Sequence, residues 1–220
     1  MKDFTDKLYY RVANTALTFL MINLWFLLAN SLFITVFFLF ELTIENSLFY
    51  ILSLIPTAPA VAASFFAMGQ FLEDGDINAT QTFFKGYKKN FRPALMYGMS
   101  QIILICILGF NYLHLRLTPN LSFLIPLTLI LLVGVLLTNL YAFPILVRYH
   151  ITLKNLWIVA IVSLYKHWVR TLLNLFIVVS FLLLFFHYPS IIIVSFASVV
   201  PYLIMYISKD VIIKIGETYL

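Results

Sequence analysis

Long apolar stretches separated by short polar clusters set the pattern of this chain. A helix rises about 1.5 Å per residue, so crossing a hydrocarbon layer about 30 Å thick takes roughly 20 apolar residues. Stretches that meet or approach this length lie at 14–40, 48–72, 94–113, 121–147, 169–187 and 190–208, and they predict six transmembrane helices. The last two are separated only by Tyr188 and Pro189, and a proline at that point stops one helix and starts the next. One kinked helix over 169–208 is the five-span alternative, although it would be about twice as long as the layer is thick.

Two of the connecting segments are patterned rather than merely polar. In the first, Phe83, Phe84, Tyr87 and Phe91 share one helical face, while Lys85, Lys88, Lys89 and Arg92 share another. This arrangement suits an amphipathic helix lying among anionic headgroups, with Asn78 and Gln81 as its start signal, Pro93 opening the next span and Gly86 weakening the middle. In the second, Thr152 is a candidate cap for a stripe of Leu153, Leu156, Trp157, Ala160, Ile161, Leu164 and Trp168, whose apolar core is too short to cross a membrane. The strings from Lys89 to Leu95 and from Lys166 to Leu172 are loosely alike, which leaves a duplicated unit open. The expected fold is therefore an all-α polytopic bundle of about six spans plus two cytoplasmic interfacial helices, a single membrane domain over 1–220.

Composition strengthens this picture: 63% of the residues are hydrophobic and 10% charged, far from the balance of a water-soluble domain. The first apolar stretch exceeds a signal-peptide core and is expected to stay attached as the first span. Orientation follows from the cations. With six spans, one side receives Lys2, Lys7, Arg11, Lys85, Lys88, Lys89, Arg92, Arg148, Lys154, Lys166, Arg170, Lys209 and Lys214, and the other only Arg116. The positive-inside bias makes the first side cytoplasmic, with both termini on it. The net charge of +5 comes with no recognition module for nucleic acid, so that partner class is not expected.

Reactive chemistry is sparse. The predicted span centres carry no Asp, Glu, Lys, Arg or His, which argues against proton relays and voltage sensing. Cys106 stands alone, so it reads as a packing residue; the four histidines are divided between the two sides, and no metal, cofactor or catalytic site is expected. The one acidic cluster, Glu73, Asp74 and Asp76, precedes the basic helix and can stabilise its N-terminal end. Uncharged polar groups are more informative. Asn23 and Asn30 share a face of the first span, and Asn139 and Asn174 occupy the fourth and fifth. Such amides either tie helices together or line a path for a small solute. Pro56 and Pro59 interrupt the second span ahead of a run of small residues, as a structural kink or as the broken helix of a binding site.

The segment Ile55-Pro56-Thr57-Ala58-Pro59-Ala60-Val61-Ala62-Ala63, with Phe83-Phe84-Lys85-Gly86-Tyr87-Lys88-Lys89-Asn90-Phe91-Arg92 about twenty residues on, resembles the YesL-like family, as do Asn23-Leu24-Trp25-Phe26 and the Arg148-Tyr149-His150 region. The resemblance implies a bacterial cell-membrane protein of unknown biochemical function, from a family often encoded beside carbohydrate-uptake genes. It supplies no catalytic residues. The expected function is a non-enzymatic accessory or regulator of a carbohydrate-uptake system, with transporter or sensor membrane proteins as partners; the alternative is a small-solute transporter or permease component. A permease subunit would carry an E-A-A…G coupling motif, which neither long loop contains.

Overall fold

The structure, a computed structural model, describes residues 2–219, and the side chains of 11–118 and 120–217. Lys2 and Lys7, counted above for orientation, have side chains outside the described set. The described residues form ten α-helices and one 3-10 segment: α1 (Lys2–Ala29), α2 (Ser31–Leu39), α3 (Ser47–Leu54), α4 (Thr57–Asp74), α5 (Ala79–Leu117), the 3-10 segment Pro119–Leu124, α6 (Ile125–Leu137), α7 (Asn139–Arg148), α8 (Leu153–Lys166), α9 (Trp168–His187) and α10 (Pro189–Tyr219). Among the described residues there is no strand, and six stretches are long and apolar enough to span a membrane: Arg11–Ala29, Ser47–Asp74, Ala79–Leu117, Asn120–Arg148, Trp168–His187 and Pro189–Glu217. The all-α polytopic bundle stands, and Tyr188 separates α9 from α10, so the five-span alternative falls.

Several spans are broken inside. The first, expected unbroken over 14–40, ends as α1 and resumes as α2 because Asn30 competes for the ladder. Its amide Nδ2 donates to the Phe26 carbonyl at 2.8 Å, and its backbone N–H is shared between the carbonyls of Phe26 and Leu27. The second breaks at Pro56 alone. Pro59 sits in the first turn of α4, where a backbone N–H has no helical partner to lose. The fourth breaks at Thr138, between α6 and α7.

The first patterned loop is not a separate interfacial helix. Residues 79–92 are continuous with the third span as α5, 39 residues or about 58 Å long. A proline inside a helix removes one hydrogen bond and crowds the preceding turn. The helix nevertheless runs through Pro93, because one buried stripe, Phe83, Gly86, Asn90, Ala94, Tyr97 and Gln101, continues at helical spacing on both sides of it. α8 does form a separate helix, too short to cross, with Leu156, Val159, Ala160 and Ser163 packed inward. Thr152 is its N-cap by position, although its side chain makes no capping bond, whereas Asn78 Oδ1 accepts the Gln81 N–H as expected. The two segments thus differ in build.

The core gathers around α4 and α7. Ala60, Ala62, Ala63 and Ala67 are fully buried, and small residues of this kind let helices approach closely. Gly98 on α5 meets α4 so tightly that a Cβ there would lie 2.3 Å from the Ala58 Cβ. α7 is buried from Leu140 to Val147. By contrast, α2 packs chiefly on α3, α6 on α5 and α9 on α10, whereas α10 also packs on α1 and α4. One end of the bundle carries the 75–78 and 149–152 connections and most of the cations.

Candidate functional site

The four amides singled out in the spans do not form one lining. Asn23, 1% exposed, reaches from α1 to α10, where its Nδ2 donates to the Ile193 carbonyl at 2.7 Å and its Oδ1 accepts the Ala197 N–H at 2.9 Å. These are the two backbone groups that an unbroken helix would join to each other. Pro201 lies one turn further on and offers no N–H to the Ala197 carbonyl, so Asn23 meets α10 next to a gap in its ladder. Asn174 ties α9 to α10 by donating to Ser208 Oγ at 2.9 Å. Asn30 binds within its own helix, as described.

Asn139 belongs to a cluster that the Asn and Pro pattern did not reveal. Its Nδ2 donates to Gln101 Oε1 at 3.2 Å; Gln101 Nε2 in turn contacts Tyr97 Oη at 2.7 Å, Thr138 Oγ1 at 3.0 Å and the Val135 carbonyl at 3.1 Å. Tyr97 and Thr138 share a further hydrogen bond, and nearby Trp157 on α8 donates to Ser100 Oγ. α5 is thereby fastened to the α6–α7 break and, through Trp157, to α8. The polar stripe Tyr97, Ser100 and Gln101, at helical spacing in an otherwise apolar span, is the sequence signal that would have found this cluster.

Beside it lies a cavity of about 490 Å³, within the range of small-molecule sites. Its walls come from the interiors of the spans: Leu54 and Val61, Ile102, Leu140, Val178 and Val200 are representative, with Tyr97, Gln101 and Asn139 on one side. The break at Pro56, the break at Thr138 and Pro201 all border or adjoin it. Thr57 and Ser64, on α4, also belong to the wall, and their hydroxyls are buried without a partner. A second cavity of about 300 Å³ lies between α1 and the α9–α10 hairpin and shares Phe26, Phe196 and Ala197 with the first.

At the basic end, Lys85, Lys88, Lys89 and Arg92 are exposed, as expected of the polar face. The aromatic face divides. Phe83 is buried against α1 and α4, Tyr87 is half-buried, and Phe84 and Phe91 keep 48% and 41% exposure. Phe84 packs edge-on to Trp25, whose Nε1 donates to Thr80 Oγ1 at 3.0 Å, so part of the face expected in the headgroups joins the helices instead. Lys89 lies over the Phe66 ring at 5.4 Å and borders a cleft of about 270 Å³ shared with Arg148, Tyr149 and His150. Two members of the acidic cluster are engaged: Glu73 pairs with Arg148, and Asp76 accepts from Asn14 at 2.7 Å. A second ion pair, Arg170 with Asp210 at 2.9 Å, joins α9 to α10. His167, between α8 and α9, has its pKa lowered, first by burial and then by Lys166, Arg170 and Lys214.

Broken apolar spans, polar groups turned mainly toward one another and a cation-rich end define a polytopic α-helical membrane protein without a charged intramembrane site among the described residues. Residues 19–112, from the first span into the third, match the family described as "Protein of unknown function, DUF624". The YesL-like resemblance is consistent with that match. No curated protein and no solved structure matches the chain.

Proposed function

We propose that this is a non-enzymatic multi-pass protein that assists or regulates another membrane assembly, with carbohydrate uptake as the setting implied by the YesL-like resemblance. The carrying observation is how the intramembrane polar groups are used. Asn23, Gln101, Asn139 and Asn174 bind backbone or other side chains of the bundle, while the central cavity is walled overwhelmingly by apolar side chains. A sugar brings many hydroxyls, and each one buried without a partner costs about 1–3 kcal/mol, so such walls are ill suited to carrying it. The engagement of Glu73 and Asp76 in structural contacts further supports a non-enzymatic role.

In this reading the protein sits in a bacterial cell membrane with its basic end in the cytoplasm. Lys85, Lys88 and Arg92 on α5, with the cleft at Lys89, Arg148 and His150, meet anionic headgroups or an acidic surface of a partner there. Affinity purification in mild detergent is the direct test: a transport or sensory membrane protein is expected to co-purify, and repeated recovery of the chain alone removes the reading's main support. Solute transport is the second reading, favoured by the convergence of Pro56, Thr138 and Pro201 near one cavity. It predicts flux into proteoliposomes, and silence across a broad panel of neutral solutes counts against it.

A further inference from the structure

We infer that the central cavity and the groove joined to it form a binding site for an alkyl chain bearing one neutral hydrogen-bonding group, taken up sideways from the bilayer. Three independent observations carry this. First, the two spaces adjoin at Phe26, Phe196 and Ala197 and are both walled almost wholly by apolar side chains, and a flexible chain suits such adjoining spaces where a rigid polar solute does not. Second, the wall offers few hydrogen-bonding groups. The unpartnered hydroxyls of Thr57 and Ser64 are on α4, and the amides of Gln101 and Asn139 are on the helices opposite. A hydroxyl needs only a rotation about its side-chain bonds to turn toward a ligand, and both are left unpaired in an apolar setting where pairing is favourable. Third, the groove runs between α1 and the α9–α10 hairpin, and Leu182 and Phe185 of its lining are exposed on the outside of the bundle, which gives the chain a route in from lipid.

A charged headgroup is excluded from the inner end, because no Asp, Glu, Lys, Arg or His lines either cavity. The same chemistry could come from the acyl chain and ester of a bilayer lipid or from a free single-chain alcohol, and the test separates them. The inference goes beyond the accessory reading and does not depend on it.

The full chain is reconstituted into nanodiscs of phosphatidylethanolamine and phosphatidylglycerol with one of two photoprobes. One is phosphatidylethanolamine with a diazirine at the end of one acyl chain; the other is a long-chain primary alcohol with the same diazirine. After irradiation, labelled residues are mapped by mass spectrometry. Label is expected on Val61, Tyr97 and Phe196 above the level at the lipid-facing Ile130 and Phe176. Val61→Phe, which fills the cavity, is expected to lower the cavity label about tenfold, the order by which a few extra carbons exclude a ligand from an apolar pocket. Val178→Phe fills the same space from α9 and serves if the first variant fails to elute as a folded species. Cavity labelling by the phospholipid identifies the bilayer as the source; labelling by the alcohol alone identifies a free single-chain molecule. Label spread evenly over lipid-facing residues, or cavity label unchanged by both filling substitutions, overturns the inference.

Discussion

Replacing Gly98 by Ala adds a single methyl group where α5 touches α4, and the new Cβ would lie 2.3 Å from the Ala58 Cβ. Carbon atoms in contact prefer about 3.5–4.0 Å, so the helices must part by more than about 1 Å. Neither Cβ has a rotamer by which to escape. A gap of 0.5–1 Å already forfeits about a quarter to a half of the dispersion energy at a contact, and overpacked cores lose typically about 1–3 kcal/mol. We place Gly98→Ala near the top of that range, because the separation acts along a whole interface. Against this stands a gain of at most about 1 kcal/mol from replacing glycine within a helix. A net loss of about 2 kcal/mol is expected. The exchange Ala58→Gly with Gly98→Ala moves the methyl across the contact and restores the spacing, so the double variant should recover most of the loss. The assay is thermal unfolding in detergent, followed by thiol-dye reaction at Cys106, the chain's one cysteine. Gly98→Ala as stable as the parent, or a double variant no better than Gly98→Ala alone, would refute the close-packing argument.

Three further outcomes are expected. Asn23→Leu strands the two backbone groups of α10 that the amide now satisfies, and should cost about 1–3 kcal/mol in the same unfolding assay; an unchanged melting temperature would mean that the α1–α10 contact is incidental. Gln101→Leu removes the hub linking Tyr97, Thr138 and Asn139, with a loss of similar size and faster hydrogen exchange at the α6–α7 junction, whereas unaltered exchange there would argue against a fastening role. His167 should titrate below the ordinary value of 6.5 in an NMR pH series, and Lys166→Gln should raise its midpoint. The sign for stability follows from the depressed pKa: as pH falls below the unfolded value the unfolded chain takes the proton first, so the folded state loses stability until pH has dropped through the lowered folded pKa. A His167 midpoint above 6.5 would contradict the surroundings described for it.

Features set by local chemistry were legible in the sequence. The Asn78 cap, the stop at Tyr188 and Pro189, and the helix too short to cross after Thr152 each depend on a few adjacent residues. What was not legible depends on neighbours distant in the chain. Pro93 reads as a helix start, yet the stripe from Phe83 to Gln101 finds a continuous partner surface, and packing outweighs the lost hydrogen bond. The aromatic face of residues 83–91 reads as lipid-facing until α1 and α4 are seen to cover Phe83. The same holds for the candidate site. Asn139 was identifiable as an intramembrane amide, but that its partner is Gln101 on another span, and that Asn23 bonds a helix 170 residues away, are facts of tertiary contact.

That last contact has a consequence for how the chain is made. Spans enter the membrane in order of synthesis, and the amide of Asn23 is inserted long before Ile193 and Ala197 exist. Until then the amide needs a temporary partner, such as water or a carbonyl one turn back in its own helix as at Asn30, since an unpaired amide in hydrocarbon is unfavourable. The first span therefore reaches its final hydrogen bonding only when the sixth arrives, and chains ending before α10 are expected to hold α1 less firmly. The final partners of a carboxamide in the first span are thus supplied by the last span to be made.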